Sequence, residues 1–258
     1  MSKKFELTSN FKVFLGRKLF QIRALVSFGD VKEGNLGGFI EKEENLSHDG
    51  NAWVYGDALV YGNAKVYGDA LVCGNAKVYG DAKVYGDAKV CGNAEVCGNA
   101  KVYGNAWVYG DALVYGDAKV YGDAKVYGNA WVYGDALVYG NAKVYGNAKV
   151  YGDAWVYGDA LVYGNAKVCG DAKVCGNAEV CGNAEVCGNA DYATIKGFGT
   201  EFRTTTFFKC KDGVTRVRCG CFYGDLNEFR EQVKNTRSGK IAEEYLMIAD
   251  LMEKHFDK

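Results

Sequence analysis

A six-residue unit, (Asn/Asp)-Ala-X-Val-(Tyr/Cys)-Gly, recurs twenty-three times without interruption between Asn51 and Gly188. A fixed short period is the mark of stacked repeats, and a period of six residues indicates a parallel β-helix. Ala and Val point to one side of an extended segment, whereas X and Tyr point to the other. Gly and Asn/Asp tolerate the left-handed backbone of a sharp corner. Each hexad is therefore predicted to form one short strand and one corner, with Ala and Val buried.

Residues 51–188 resemble the hexapeptide-repeat proteins of the left-handed β-helix (LpxA-like) superfamily. That resemblance implies a left-handed coil with three hexads per triangular turn, and hence about seven to eight coils. At a strand spacing of ~4.8 Å, the prism would be about 35 to 40 Å long. The large Tyr that follows Val departs from the small or acidic residue frequent in that superfamily, and its side chain should point outward.

The segments on either side of the repeats are predicted to close the ends of the solenoid. In the N-terminal cap (1–50), residues 11–15 and 18–22 read as a β-hairpin, and residues 45–50 look like a degenerate first hexad. The cap resembles that of the YdcK-like hexapeptide-repeat proteins and of similar proteins from phages and mobile elements. The runs that carry this resemblance are IRAL (22–25), FGDVKEG (28–34), LGGFI (36–40), NLS (45–47) and WVYG (53–56). It implies an architecture and no chemistry.

Residues 189–258 are predicted to form a small α+β module after the hexad rule breaks. Residues 204–210 and 214–221 read as a second hairpin, joined through a Lys-Asp-Gly turn. Asp225 and Glu228 have the spacing of a helix capping box. Gly239 precedes the last helix, in which an apolar stripe recurs at helical spacing. The stripe consists of Ile241, Tyr245, Ile248 and Met252.

Charge and cysteine usage narrow the classes of partner and the compartment. The net charge is −1, and it divides into +1 for residues 1–50, −3 for the repeats and +1 for the tail. No segment has the basic excess typical of nucleic-acid binding. The N-terminus is not followed by an apolar run, and no stretch reaches membrane-spanning length. We expect a cytoplasmic protein with no nucleic-acid or membrane partner. Seven of the ten cysteines occupy the Tyr position, so we expect them on the outside, kept unbonded by a reducing compartment.

The superfamily's chemistry is not expected here, because its acyltransferases usually use a histidine base and its carbonic anhydrases hold zinc with histidines, whereas these coils contain no His. We predict no catalytic residue, no cofactor and no metal. The two histidines, His48 and His255, are expected to be solvated.

Cysteine pairs and the tail cysteines leave a metal site as the less favoured alternative. The pairs Cys73/Cys91 and Cys169/Cys187 are spaced to stack on neighbouring coils, but each pair supplies two of the four ligands that zinc needs. Three cysteines could converge across the second hairpin. They are Cys210, Cys219 and Cys221.

The Tyr residues of one face are the main candidate for a binding surface. Counting eighteen residues per coil places six of them in an unbroken column beside Lys65, Lys83, Lys101 and Lys119. The column consists of Tyr67, Tyr85, Tyr103, Tyr121, Tyr139 and Tyr157. Such a strip suits a protein partner, a second copy or a glycan. The alternative is that Tyr is simply a common outward residue of strands that stacks on itself.

The spacing of Trp argues against a Trp binding track. Trp107, Trp131 and Trp155 are twenty-four residues apart, so each should lie on a different face. We therefore predict a non-catalytic scaffold that binds a protein partner or associates with itself, as a homo-oligomer packed through its faces. The alternatives are a glycan-binding module on the Tyr column, and an enzyme in the tail that uses Cys219, Cys221 or His255.

Overall fold

The computed structural model describes residues 3–257. The hexads form a parallel β-solenoid of about eight turns, which confirms the predicted fold. Each hexad contributes one strand of two residues, X and Val. Strands eighteen residues apart pair in parallel, as Lys101 pairs with Lys119. The left-handed sense of the coil stays an implication of the resemblance.

The strands of the N-terminal cap are Phe5–Phe14 (β1), Arg17–Ala24 (β2) and Leu36–Ile40 (β3). The strands of the shaft are Trp53–Val54 (β4), Leu59–Val60 (β5), Lys65–Val66 (β6), Leu71–Val72 (β7), Lys77–Val78 (β8), Lys83–Val84 (β9), Lys89–Val90 (β10), Glu95–Val96 (β11), Lys101–Val102 (β12), Trp107–Val108 (β13), Leu113–Val114 (β14), Lys119–Val120 (β15), Lys125–Val126 (β16), Trp131–Val132 (β17), Leu137–Val138 (β18), Lys143–Val144 (β19), Lys149–Val150 (β20), Trp155–Val156 (β21), Leu161–Val162 (β22), Lys167–Val168 (β23), Lys173–Val174 (β24), Glu179–Val180 (β25) and Glu185–Val186 (β26).

Three sheets form the faces of the shaft. The seven-stranded face consists of β6, β9, β12, β15, β18, β21 and β24. The eight-stranded face consists of β4, β7, β10, β13, β16, β19, β22 and β25. The third sheet, β5, β8, β11, β14, β17, β20, β23 and β26, continues into β3, β2 and β1 and forms the eleven-stranded face. The N-terminal cap is therefore an extension of one wall of the shaft.

The interior of the shaft is filled by the Ala and Val of every hexad. From Ala52 to Val186, each of these residues is 1 % exposed or less. The backbone is tied between coils by a regular ladder, in which Lys101 N donates to Ala118 O (2.9 Å) and Tyr103 N to Val120 O (3.0 Å). Burial of the small aliphatic pair and the ladder together hold each coil on the next.

The hexad glycines from Gly56 to Gly182 turn the corners with positive φ. Gly104, for example, has a φ of +67°, and a Cβ there would lie 3.0 Å from the backbone N of Gly122 in the next coil. Both the conformation and the close approach require a residue without a side chain. Backbone geometry thus explains why this position of the hexad is always glycine.

The N-terminal cap is built as predicted and extends further. β1 and β2 pair antiparallel around Leu15 and Gly16. Leu46 bridges Val66 in parallel, so the degenerate first hexad does join the solenoid. A short 3-10 helix, Glu43–Asn45, precedes it. Trp53 is buried against Phe5 and Phe28 and closes this end of the core.

The tail contains more strands than the sequence predicts. After a 3-10 helix at Asn189–Asp191 come Tyr192–Ile195 (β27), Thr205–Lys209 (β28), Thr215–Cys219 (β29) and Phe222–Asp225 (β30). They form one antiparallel sheet in that order, so the predicted hairpin is its centre and the two outer strands were missed. Two helices follow, Leu226–Thr236 (α1) and Gly239–Phe256 (α2). The predicted capping box is confirmed, since Glu228 N donates to Asp225 Oδ1 (2.8 Å). Within residues 3–257, no helix is long and apolar enough to cross a membrane.

The tail sheet covers the open C-terminal end of the shaft. Because neighbouring residues of a strand point to opposite faces, Phe207 packs under the helices with Phe229, whereas Phe208 joins the core of the shaft. Arg218 Nε donates to Glu179 Oε2 at 2.9 Å across the same boundary. The tail is therefore packed against the last coils.

Candidate functional site

Six Tyr rings form a continuous stack on the seven-stranded face. Their centroids are 4.8 to 5.0 Å apart and their planes lie within 3° of parallel. The rings belong to Tyr67, Tyr85, Tyr103, Tyr121, Tyr139 and Tyr157. The predicted Tyr column is thus present, and each ring is half-buried between its neighbours with its edge toward solvent.

Three shorter stacks occupy the other faces and were not singled out in the sequence, and one of them is the pair Tyr61 and Tyr79 on the eleven-stranded face. A second contains Tyr109, Tyr127, Tyr145 and Tyr163 on the eight-stranded face. The third contains Tyr115, Tyr133 and Tyr151, also on the eleven-stranded face. The same count of eighteen residues, applied to every face, would have found them. Stacking is therefore general to the shaft, and length distinguishes the six-ring column.

A column of lysines runs beside the six-ring stack. Lys65, Lys83, Lys101 and Lys119 pair in register across four neighbouring strands. In residues 3–257, none of their ammonium groups has a carboxylate or an aromatic ring in contact. Lysines elsewhere in the shaft do find partners, as Lys77 pairs with Glu95 at 2.8 Å. We call these four lysines and the six-ring stack the lysine–tyrosine ribbon.

The corners that flank the ribbon carry acidic residues. Asp81 and Asp117 precede the lysines, and Asp87 and Asp123 follow the tyrosines; all four are exposed. Asn residues in the same corners donate to the next coil, as Asn99 Nδ2 does to Asp117 Oδ1 at 3.1 Å. The surface is thus zwitterionic, with a positive centre line and a mixed acidic and amide rim.

Burial raises the pKa values of phenols in the ribbon. It raises the pKa of Tyr103 above the ordinary value of a phenol, and the neighbouring hydroxyls of Tyr121 and Tyr85 raise it further. The pKa values of Tyr67 and Tyr85 are raised by burial in the same way. The ribbon therefore presents uncharged phenol rings beside a column of lysine side chains at neutral pH.

The Trp residues lie on different faces, as the spacing predicts. Trp107 is on the eight-stranded face, Trp131 on the eleven-stranded face and Trp155 on the seven-stranded face. Lys89 and Lys125 both approach the ring of Trp107, each at 5.0 Å from its centroid. Lysines of this repeat therefore pack over the ring where a neighbouring coil places Trp beside them, as Lys149 does with Trp131 and Lys173 with Trp155.

Comparison with protein families gives one finding. The YdcK beta solenoid repeat matches residues 142–158, which is almost one full turn of the shaft. The chain is a YdcK-like repeat protein. A comparison with curated proteins yields no match.

Histidine plays a structural part in the cap of this YdcK-like protein. His48 is half-buried, whereas we expected it to be solvated. Its ring stacks on Phe5 (centroids 4.3 Å apart), its Nδ1 accepts from Lys4 N (3.1 Å) and its Nε2 contacts Glu43 Oε1 (2.7 Å). His255 is exposed near the end of α2 and contacts Phe256. Neither lies on the ribbon.

Two of the cysteine pairs in the YdcK-like shaft are bonded, against our expectation. Cys73 and Cys91, and likewise Cys169 and Cys187, form disulfides between neighbouring coils. The parallel register brings equivalent Cα atoms to 4.6 and 4.2 Å, within disulfide reach. Cys169 and Cys181 are also buried (3 % and 4 % exposed), so not all of these cysteines lie outside.

The tail cysteines lie at different ends of the second hairpin. Cys210 lies beside the turn of the second hairpin, whereas Cys219 lies at the far end of β29, opposite Thr205. An antiparallel pair separates such positions by the length of the strand, so Cys210 and Cys219 are not brought together. Cys221 is exposed. Among the residues that the structure describes, no group of three His, Cys, Asp or Glu is arranged to hold a metal.

Proposed function

We propose that this YdcK-like protein is a non-catalytic scaffold that binds a protein partner, or a second copy of itself, through the outer faces of a rigid shaft. The observation that carries the proposal is the unbroken lysine–tyrosine ribbon on a shaft whose Ala and Val interior is sealed. Because the interior has no room for a ligand, the outward columns are the groups that the shaft offers to a partner.

The composition of the ribbon supports protein binding. Tyr is enriched at protein interfaces, where its ring contributes apolar area and its hydroxyl a hydrogen bond. The rings are held by stacking on both sides, so little side-chain freedom remains to be lost on binding. The four lysines lack partners within residues 3–257, so they are available to a second molecule.

Capture by the full chain tests the proposal. Immobilised wild-type protein is compared with Tyr103→Ser/Tyr121→Ser, in native lysate and after cross-linking. The matched control is Tyr127→Ser/Tyr145→Ser, because each of these rings also stacks between two others on a different face. We expect captured protein to be lost only in the ribbon variant. Equal capture by all three proteins would reject the ribbon as the binding surface.

Two alternatives remain open to experiment. A glycan-binding module also suits a strip of rings, and glycan-array binding that Tyr103→Ser/Tyr121→Ser leaves unchanged would eliminate it.

An enzyme in the tail would use Cys219, Cys221 or His255. Over residues 3–257, no hydrogen bond or aromatic contact joins His255 to either thiol. An activity found in acyl-donor or hydrolase screens and lost on replacing these residues would favour the enzyme.

We also propose a cytoplasmic location, which the six unbonded cysteines support. The two disulfides weigh against it. Mass spectrometry under non-reducing conditions, on protein taken directly from cells, tests the location. Reduced cysteines support the cytoplasm, whereas intact disulfides argue against it.

A further inference from the structure

We propose that the free edge of the N-terminal hairpin pairs with the same edge of a second copy of this chain. The two β1 strands would lie antiparallel about a two-fold axis at Val13. This contact lies outside the lysine–tyrosine ribbon and does not depend on the proposed scaffold function. Three properties of residues 11–15 lead to a second copy. They are unused backbone groups, exposed apolar side chains and a pairing register that opposes no like charges.

The first property is an open edge. β1 is the outermost strand of the eleven-stranded sheet, and in residues 3–257 it pairs with β2 alone. Phe14 and Arg17 flank the two-residue turn, so they form a hydrogen-bonded pair, and bonded and non-bonded pairs alternate from there. The backbone N–H and C=O groups of Phe11 and Val13 therefore point away from β2. Within the described residues, no backbone group of another segment bonds to them on that side.

A bulge limits the usable edge to the part of β1 next to the turn. The register of β1 against β2 shifts between Leu7 and Phe11, and Asn10 N donates to Thr8 Oγ1 (3.2 Å) inside the shift. Bulges protect exposed edges because they bend the strand and interrupt its pairing. From Phe11 to Phe14 the register is regular. This segment therefore keeps the extended form that a second strand needs.

The second property is an apolar outer face. Phe11, Val13 and Leu15 are 43 %, 66 % and 78 % exposed. The side chains between them turn toward the shaft, as Phe14 does onto Tyr61 (centroids 5.7 Å apart). An extended edge with exposed apolar side chains is a template for pairing with another chain. Pairing here would bury apolar surface and satisfy backbone groups at the same time.

The third property is self-complementarity. With the axis at Val13, the two copies of this residue form a hydrogen-bonded pair and exchange two backbone bonds. Lys12 then lies opposite Phe14 of the second copy, so this pairing opposes no like charges. On the outer face, Phe11 lies beside Leu15 of the second copy. One segment thus supplies both sides of the contact, which favours a second copy over an unrelated extended peptide.

Moving the axis by one or two residues along β1 is less favourable. An axis at Lys12 would set the two Lys12 side chains directly opposite each other, and like charges at such positions are destabilising. An axis at Phe11 would place Val13 opposite Ser9, inside the bulge, where the strand is irregular. Charge and backbone geometry therefore agree on the axis at Val13.

The size of the contact sets the expected affinity. Residues 11–15 span about 17 Å at ~3.4 Å per residue. A single strand pair of that length buries less than the roughly 1,200 Å² of a standard interface. We therefore expect a reversible dimer with a dissociation constant of about 100 µM.

Sedimentation velocity of the full chain from about 5 to 500 µM tests the proposal. We expect a monomer–dimer equilibrium in the wild type. Val13→Lys would oppose two ammonium groups at the axis, so dimerisation should weaken at least tenfold and partly recover in added salt. The matched control is Val214→Lys, at an exposed valine of the tail, and it should leave dimerisation unchanged. Circular dichroism confirms that both variants are folded. A wild type that stays monomeric, or equal loss in both variants, overturns the proposal.

Cysteine cross-linking tests the register. The axis at Val13 brings the two Cα atoms of that residue to about 5.5 Å, within disulfide reach. Val13→Cys should therefore form a covalent dimer by thiol–disulfide exchange with oxidised glutathione, which is reduced to two thiols. Phe11→Cys should not, because its two copies would lie about 14 Å apart. The wild type measures the background from exposed Cys221. Equal cross-linking of both variants, or cross-linking of Phe11→Cys alone, overturns the proposal.

The ribbon variant separates this contact from the proposed function. Tyr103→Ser/Tyr121→Ser should dimerise like the wild type, because the ribbon lies on a different face of the shaft. A dimer that is lost in this variant and kept in Val13→Lys overturns edge pairing. A dimer that only Val13→Lys abolishes, in a protein that captures nothing through the ribbon, leaves edge pairing standing and rejects the ribbon as the binding surface.

Discussion

Lys101 lies directly opposite Lys119 in neighbouring strands of the seven-stranded face, and it lies opposite Lys83 on its other side. Three positive charges thus follow one another at the spacing of β-strands. Neighbouring coils hold one another in register through the backbone ladder, so the lysine side chains cannot separate by sliding along the shaft.

Lys101→Glu should stabilise the shaft. The change converts two repulsive cross-strand pairs into two attractive ones, and we expect the free energy of unfolding to rise by about 1 kcal/mol at low salt. Urea unfolding of dilute protein measures it. Lys143→Glu is the control, since its neighbours are Lys125 and Leu161 and only one pair changes sign. A gain for Lys101→Glu no larger than the control would contradict the charge argument.

Val102→Thr tests whether the shaft is dry. Thr has nearly the shape of Val, but its hydroxyl would be buried where the ladder already occupies the backbone carbonyls. We expect a loss of about 1 to 3 kcal/mol in the free energy of unfolding. Lys143→Thr, at an exposed position, should change it by less than about 0.5 kcal/mol. A neutral Val102→Thr variant would mean that water reaches the interior.

Gly104→Ala and Gly176→Ala separate backbone strain from crowding. The two glycines hold the same place in the hexad, with φ of +67° and +63°. A Cβ at position 104 meets the backbone of Gly122 at 3.0 Å, whereas a Cβ at position 176 meets nothing within 4 Å. Both variants should lose about 1 to 2 kcal/mol from strain, and Gly104→Ala should lose about 1 kcal/mol more. Equal melting temperatures would show that the neighbouring coil yields freely.

Each disulfide should stabilise the shaft by closing one coil. Cys73 and Cys91 are eighteen residues apart, and a loop of that length corresponds to about 3 kcal/mol of unfolding free energy. Cys73→Ser/Cys91→Ser should lose about that amount under oxidising conditions, and a reductant should then remove only the contribution of the Cys169–Cys187 bond, which the variant retains. The same stability with and without reductant in the wild type would indicate that the bond does not form in solution.

The stacked phenols should make the fold labile to alkali. Burial raises the pKa of Tyr103, Tyr121 and Tyr127 in the folded state. Above a pH of about 10 the unfolded chain releases phenolic protons that the folded chain retains, so stability falls as pH rises. Tyrosinate absorbance and circular dichroism should therefore change together. Ionisation of the rings at pH 10 with the fold intact would contradict the assignment.

The hexad alone determined the shaft. Ala and Val two residues apart, followed by a Gly that accepts positive φ, permit one short strand and one corner, and eighteen-residue spacing fixed the Tyr67–Tyr157 column before any coordinates. The capping box at Asp225 was equally local. These features depend on neighbours within one hexad or one helical turn, which sequence records directly.

Several features depend on contacts between residues that are far apart in the sequence, and only the tertiary structure shows them. β27 and β30 exist because they pair with β28 and β29, and their own residues lack a strong strand pattern. Phe208 became core because the tail sheet covers the open end of the shaft. His48 is part of the cap because Lys4 and Phe5 contact it. The cysteine pairs are bonded because the strand register places their Cα atoms within disulfide distance. A repeat specifies its own stacking, but what covers its ends is set by segments that obey no repeat.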